Sequence, residues 1–355
     1  MGSVTVVGSS TIGRRTARIL AEFREGFGLE NVFLVKRAGD KGKITHRSVL
    51  HELVAGGVRL ATWPDMIPAF ESQRFKPMGV EDAIGGSTVI IDCTDNALAL
   101  QEELYRKYDD GTRRFIAQGA EHGFGKITCL GVDDDQSLAE VWLQNASCND
   151  HSAVTAIRIL QKAGADLVLV VAGFNRRDTD RGNPKVCTGP SFSDFDDDEY
   201  GTHHGGDVGR LLPGLRIVTD AMKLPVQGMH SPHLWAIGRE EKPLTKAQIL
   251  EAMEAYQLAS ITDEKCMAPI DQWGCEHGLL GGVFALAVFV RGQVKVFDTP
   301  LGHLYHLGWF TPQVVNVTPT NVIRTLQWMH RVDLAEATRL FQPVEERYFR
   351  RHIDV

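Results

Sequence analysis

The chain has 355 residues, which at about 150 residues per domain points to two domains. Hydrophobic residues make up 43% and charged residues 23%, which excludes a disordered or fibrous chain and leaves apolar material for two cores. A net charge of −7 argues against a broad basic face for nucleic acid. No apolar run reaches the about 18 residues that a membrane helix needs, so no membrane partner is expected. The opening MGSVTVVGSS lacks the charged-then-apolar layout of a signal peptide. Six cysteines (Cys93, Cys129, Cys148, Cys187, Cys266 and Cys275) are spread without CxxC pairs and read as reduced thiols of a cytoplasmic protein.

In chain order, Val4–Val7 reads as a strand and Thr11 to about Glu25 as a helix, with Ile12, Ala17, Ile19, Leu20 and Phe23 on one face and Gly26 and Gly28 as the stop. Strands at Val32–Val35, Val58–Ala61, Val89–Asp92 and Phe115–Gln118 alternate with helices at Ile44–Ala55 and Ala97–Tyr108. That alternation implies a mostly parallel sheet with right-handed crossovers. Beyond Cys148 the pattern changes. A helix is expected at Ser152–Ala163 and a strand at Leu167–Val171, and the polar, acidic stretch Asn175–Gly209 reads as a long loop. Strands follow at Leu215–Thr219, Ser231–Ile237, Gly282–Val290 and Val294–Asp298, with a helix at Lys246–Tyr256 between them. A last helix spans about Thr320–Phe341, where Pro343 stops or kinks it. The expected fold is α/β. A Rossmann-like parallel-sheet domain for dinucleotide binding covers 1–147, joined by the helical segment 320–355. An α+β catalytic domain with a mainly antiparallel sheet covers 148–319.

The turn after the first strand runs Gly8-Ser9-Ser10-Thr11-Ile12-Gly13. A strand, a glycine turn and a helix start make a site for pyrophosphate, because the free N–H groups and the positive dipole end face it. Ser10 stands where the usual GxGxxG has its second glycine, so the fingerprint is partial. A phosphate-cradling GxxxxGK[ST] loop fits worse, since Arg14 replaces its lysine and Arg15 its hydroxyl. Lys36 and Arg37 follow the second strand, where NAD-specific folds carry an acid; two cations there favour NADP, or use of both NADP and NAD. Asp40 comes later, in a GDKG turn.

Cys148 lies at or just before a helix start with polar neighbours, where the dipole lowers a thiol pKa. The plainer reading of a lone cysteine, a small buried hydrophobe, suits Cys93 and Cys129 better. Candidate bases come in two groups, His203-His204 and His230 with His233. No cysteine or histidine sits at a zinc-like spacing from His203-His204, so no metal is expected.

Several of these motifs together resemble archaeal-type (class II) glyceraldehyde-3-phosphate dehydrogenases over nearly the whole chain. The turn Gly8 to Arg15 resembles that family's GYGTIGKR, Ile91-Asp92-Cys93-Thr94 its IDCT, and Ala117-Gln118-Gly119-Ala120-Glu121 its FQGGE. Ser147-Cys148-Asn149-Asp150-His151-Ser152 stands for SCNTTG, Arg176-Arg177 for its arginine pair, Thr202 to Val208 for SHHGPDV, and Lys223 to His230 for KVPTTLMH. The resemblance implies a cysteine-dependent aldehyde dehydrogenase in which Cys148 forms a thiohemiacetal and then a thioester, with His230 as base and His233 as the fallback. It implies cofactor contacts at Gly8, Thr11, Ile12, Gly13, Thr94, Gly119 and Arg177, alongside Lys36 and Arg37. It further implies substrate contacts at Asn149, Asp150, His151, His203, His204 and His233, and a homo-oligomer, tetramer or dimer.

The departures concern the substrate. Asp150 and His151 replace two threonines whose hydroxyls suit a phosphate, and Val226 and Gln227 replace two more. An ionised Asp150 at the acyl site repels a phosphate, so an aldehyde other than glyceraldehyde 3-phosphate is expected. The alternatives are a semialdehyde dehydrogenase or acyl-phosphate reductase on an amino-acid-like substrate, a non-catalytic nucleotide-binding homologue, and a reductase with no covalent step.

Overall fold

A computed structural model describes residues 2–37, 44–119, 121–132, 134–179, 188–280, 285–312 and 316–355. Asp40 and its turn, Ala120, Cys187 and the first residues of the expected strand Gly282–Val290 lie outside the described residues. Two compact units divide the chain, one of 1–146 with 317–344, the other of 147–316 with 345–355.

The first unit opens with β1 (Gly2–Val7), α1 (Thr11–Glu22), β2 (Leu29–Val35), α2 (Arg47–Ala55), β3 (Arg59–Thr62) and α3 (Ile67–Glu71). It continues with β4 (Met78–Gly79), α4 (Val80–Gly85), β5 (Val89–Asp92), α5 (Ala97–Glu103), β6 (Arg114–Gln118), β7 (Lys126–Thr128) and β8 (Trp142–Asn145). These strands form a parallel sheet in the order β4-β3-β2-β1-β5-β6-β8-β7, so the order reverses between β1 and β5. In such sheets a ligand binds beyond the carboxyl ends of the strands at that reversal. Strands buried on both faces explain the apolar runs, as in β1, where Ser3 to Val7 are all buried. α1 buries Ala17, Ile19 and Leu20 completely, and each large apolar side chain so buried contributes about 1.5–3 kcal/mol. The α/β class expected from alternation is therefore the class observed.

In the second unit come α6 (Cys148–Ala163), β9 (Leu167–Thr179), β10 (Ser191–Phe192), α7 (His203–Leu211), β11 (Arg216–Gln227), β12 (Met229–Gly238), α8 (Lys246–Glu254) and β13 (Ala259–Thr262). α9 (Met267–Glu276), β14 (Ala287–Val290), β15 (Lys295–Thr299) and β16 (Gly302–Pro312) follow. The chain then runs through α10 (Val317–His330) and α11 (Leu334–Tyr348) to β17 (His352–Ile353). The second sheet is mixed. β9 pairs antiparallel with β12, β12 with β16 and β16 with β14, while β11 runs parallel to β9, and β13 runs parallel to both β14 and β17.

Several expectations change here. The strand expected to end at Val171 runs on to Thr179, so the presumed loop from Asn175 begins as sheet and later contains α7. The expected terminal helix is two helices, and Pro343 lies inside α11 without ending it. β16 and β13 were hidden by mixed polar sequence; in β16, Gly302 and half-buried His303 and His306 weaken the apolar alternation.

Candidate functional site

At the carboxyl edge of the first sheet the loops from four strands converge. Gly8 follows β1 with φ 94°, a left-handed conformation that favours glycine. A Cβ on Gly13 would lie 2.0 Å from the Gly8 carbonyl oxygen, so this strand–helix turn closes only with glycine there. Ser10 caps α1 without a side-chain bond to the helix backbone; its hydroxyl donates instead to the Cys93 carbonyl at 3.1 Å. Thr94 follows β5, where its N–H and hydroxyl both donate to Asp92 Oδ1 at 2.8 and 2.7 Å. Gly119 follows β6 with φ 67°. Lys36, buried after β2, donates from Nζ to Ser9 Oγ at 2.9 Å and Thr45 Oγ1 at 3.2 Å, and burial pulls its pKa down. Arg37 stacks on Trp63 at 4.1 Å. An ammonium that, among the described residues, bonds to the Ser9 and Thr45 hydroxyls beside a glycine turn and a helix start fits the phosphate groups of a dinucleotide. Asp92 entered the sequence analysis only as part of the IDCT-like motif, with no role of its own. It is a fully buried carboxyl that takes the Tyr105 hydroxyl at 2.5 Å and shapes the Thr94 loop.

Cys148 is the first residue of α6, four residues earlier than the helix start expected at Ser152. Ser147 caps the helix, its hydroxyl accepting from the Asp150 N–H while the Asp150 carboxylate accepts from the Ser147 N–H at 3.0 Å. Such a reciprocal cap is worth about 1 kcal/mol. Cys148 itself is half-buried. Burial pushes its thiol up to about 11, and Asp150 adds to the rise against Arg177, the Asn149 N–H and Arg176. The expected lowering by the helix dipole is thus outweighed by desolvation.

Asp150 is fully buried. Its Oδ1 accepts from His204 Nδ1 at 2.8 Å, and its Oδ2 accepts from the Ser147 N–H. Burial pushes this carboxyl up, but His204 and the Ser147 groups together hold it below the ordinary value. Both oxygens are occupied in this fully buried side chain, which is a helix cap and the partner of His204. His151 is fully buried as well and offers a substrate no surface. Asp207, one residue the sequence reading passed over, bonds to Asp150 and Arg210; burial and then Asp150 push its carboxyl up to about 8. Its only sequence signal was its place three residues after His204.

His230 lies on β12, buried, and its Nδ1 accepts the Arg177 backbone N–H at 2.9 Å. In a neutral ring that leaves the proton on Nε2. Burial, then the charges of Arg177, Arg176 and His204, hold its pKa well below 6.5. The ring therefore presents a donor from Nε2. His233 lies three residues along the same strand and so points to the opposite face, where it is half-buried and Gly173 leaves room for its ring. His203 stands at the start of α7, held by Asp196 at 2.8 Å. Asn149 is buried, with Nδ2 3.3 Å from His204 Nε2. Among the described residues no group of three metal-ligating side chains forms.

Comparison with known proteins adds the family context. The chain is 26% identical over 313 residues to the glyceraldehyde-3-phosphate dehydrogenase of Pyrobaculum arsenaticum, covering 85% of this chain and 86% of that protein. It is 27% identical over 317 residues to the enzyme of that name from Pyrobaculum calidifontis, covering 86% and 87%. A third, from Methanococcoides burtonii, is 28% identical over 264 residues, covering 72% of each chain. No family model matches the chain. These likenesses support a divergent, glyceraldehyde-3-phosphate-dehydrogenase-like oxidoreductase with a Rossmann-type sheet.

Proposed function

We propose that this protein is an NAD(P)-dependent oxidoreductase that acts on an aldehyde through a covalent adduct on Cys148. The observation that carries it is the setting of that thiol. Alone among the described cysteines it is half-buried rather than buried or exposed, and it starts a helix next to two arginines and a buried Asp–His pair. The Cys148 sulfur attacks the aldehyde carbon to give a thiohemiacetal, and loss of hydride leaves a thioester that water or phosphate releases. A bound nicotinamide supplies the hydride acceptor. Gly8, Gly13, Lys36, Thr94 and Gly119 are the residues at the first sheet's carboxyl edge proposed to hold that cofactor, with Thr11 and Ile12 offering helix N–H groups. His230, neutral and protonated on Nε2, suits donation to the oxyanion formed by the attack.

The proposed substrate differs from glyceraldehyde 3-phosphate. Four threonine hydroxyls of the resembling family are absent, at Asp150, His151, Val226 and Gln227, and His204 Nδ1 is bonded to Asp150. An amino-acid-like semialdehyde or acyl phosphate is the alternative substrate class. Further copies of the chain are proposed partners, checked by light scattering.

A thiol held near pH 11 favours one other reading, a nucleotide-binding homologue without turnover. Cys148→Ala separates the two. Aldehyde-dependent reduction of NADP or NAD that vanishes in the variant, with cofactor binding intact, supports the covalent enzyme. Unchanged turnover rejects it, and binding without any turnover in the native chain supports the homologue.

A further inference from the structure

We propose that the first unit carries a second ligand site, at the amino edge of its parallel sheet, that takes a small organic phosphate. It lies at the opposite end of the strands from the residues proposed to hold the cofactor, and it goes beyond the aldehyde reading without resting on it.

A cavity of about 640 Å³ opens there, within the range of small-ligand sites. Its wall is built from the residues just ahead of β5, the start of β6 and the end of α10. Two polar side chains in that wall are buried and lack a hydrogen-bond partner among the described residues: Gln327 at Nε2 and Trp328 at Nε1. The Gln327 amide is oriented by Arg324, whose Nη1 donates to its Oε1 at 2.7 Å. A guanidinium only donates, so the amide oxygen faces Arg324 and the nitrogen is the end left over. An indole nitrogen likewise only donates. Buried donors without acceptors are costly, and an acceptor bound in the cavity relieves that cost.

The charge of the wall is positive. Helices α4 and α10 end here, and their carbonyl ends favour cations over anions. Arg113 meets that demand at α4: it pairs with Asp110 and donates to the carbonyls of Gly85 at 2.7 Å and Ser87 at 3.1 Å. At α10 the Val332 N–H donates to the Gln327 carbonyl at 3.2 Å. Arg114 and Arg331 then remain without an ion pair among the described residues. Arg114 donates to the carbonyls of Gly111 and Arg113, and Arg331 is exposed. Arg331 follows α10 with φ 54°, the left-handed position where glycine is the usual residue. An arginine held in that conformation gives the cavity a guanidinium that glycine would not. Two guanidinium forks and two neutral N–H donors match the acceptor oxygens of a phosphate. Leu138 and Met329, also in the wall, suit the apolar part of an organic phosphate.

The test follows Trp328 itself. The full-length protein is labelled with nitrogen-15 at tryptophan, and its six indole N–H signals are recorded as phenyl phosphate is added, with Trp328→Phe identifying the signal. The Trp328 signal should shift and saturate with a Kd of about 1 mM or tighter. Phenol, which lacks the charge, should not move it, and inorganic phosphate should bind more weakly. Arg114→Gln combined with Arg331→Gly should weaken binding by about tenfold or more, as expected for losing charge-assisted bonds. Glycine suits a φ of 54° better than arginine does, so Arg331→Gly should melt no lower than the native chain; it carries the test alone if Arg114→Gln does not fold. Lys36→Met, at the other edge of the sheet, should leave the Trp328 response unchanged. Absence of a saturable shift, an equal response to phenol, undiminished binding in Arg331→Gly, or loss of the response in Lys36→Met overturns the proposal. Inorganic phosphate binding as tightly as phenyl phosphate overturns the assignment of an organic ligand.

Discussion

The Arg177 backbone N–H donates to His230 Nδ1 across 2.9 Å, between neighbouring antiparallel strands β9 and β12. That one bond decides the tautomer of a histidine whose position in the chain suggested a base. It predicts that His230 resists protonation as the pH falls through 6.5. Its folded pKa is depressed while its unfolded value is ordinary, so the unfolded chain binds the extra proton first and stability falls with falling pH below about 6.5. Nitrogen-15 spectra should show the Nε2–H tautomer throughout, and His230→Gln should flatten the acid side of the stability profile. A ring that titrates near 6.5 would contradict this.

Asp207 predicts the opposite slope. Its carboxyl is pushed up to about 8 from an ordinary value near 4, so the folded state holds a proton that the unfolded state has released. Stability contributed by this group is present below about pH 4 and lost as the pH rises through 8. Urea unfolding at pH 5, 7 and 9 should show that decline, and Asp207→Asn should remove much of it. An unchanged slope in the variant would place the shift elsewhere.

Thiol reactivity follows burial. In the protein without ligands at pH 7, Cys266 and Cys275, both exposed, should react with iodoacetamide before Cys148, and the buried Cys93 and Cys129 last. Peptide mapping over time gives the order. If Cys148 reacts first, the helix dipole outweighs desolvation after all.

Cofactor choice tests the edge of the first sheet. Lys36 bonds to Ser9 in the glycine turn itself, while Arg37 lies on the Trp63 ring. Replacing both by neutral residues should weaken NADP binding by at least about tenfold more than NAD, as expected for losing charge-assisted bonds of about 1.5–3 kcal/mol. Equal losses, measured by calorimetry, would show that neither side chain meets the 2′-phosphate.

Much of the first unit was legible because its signals are local. A buried parallel strand needs a continuous apolar run, and a tight strand–helix turn needs glycine at Gly8 and Gly13, so β1, α1, β2, α2, β3, β5, α5 and β6 followed from residues close together in the chain, while the short α3, β4, α4 and β7 did not. The second unit hid more. Its sheet has one half-exposed face, so β16 carries histidines and glycine among its apolar residues, and β9 runs past its apolar half into Asn175-Arg176-Arg177.

The sequence alone determined which chemistry was available: a glycine turn, two cations after the second strand, a cysteine near a helix start and two groups of histidines. Only the tertiary structure decided which of these groups act on one another. Strand alternation put His230 and His233 on opposite faces, and a backbone N–H from a neighbouring strand set the proton of His230. Packing of α6 against α7 made Asp150 the partner of His204, because a carboxylate buried without water must find its counter-charge inside the protein.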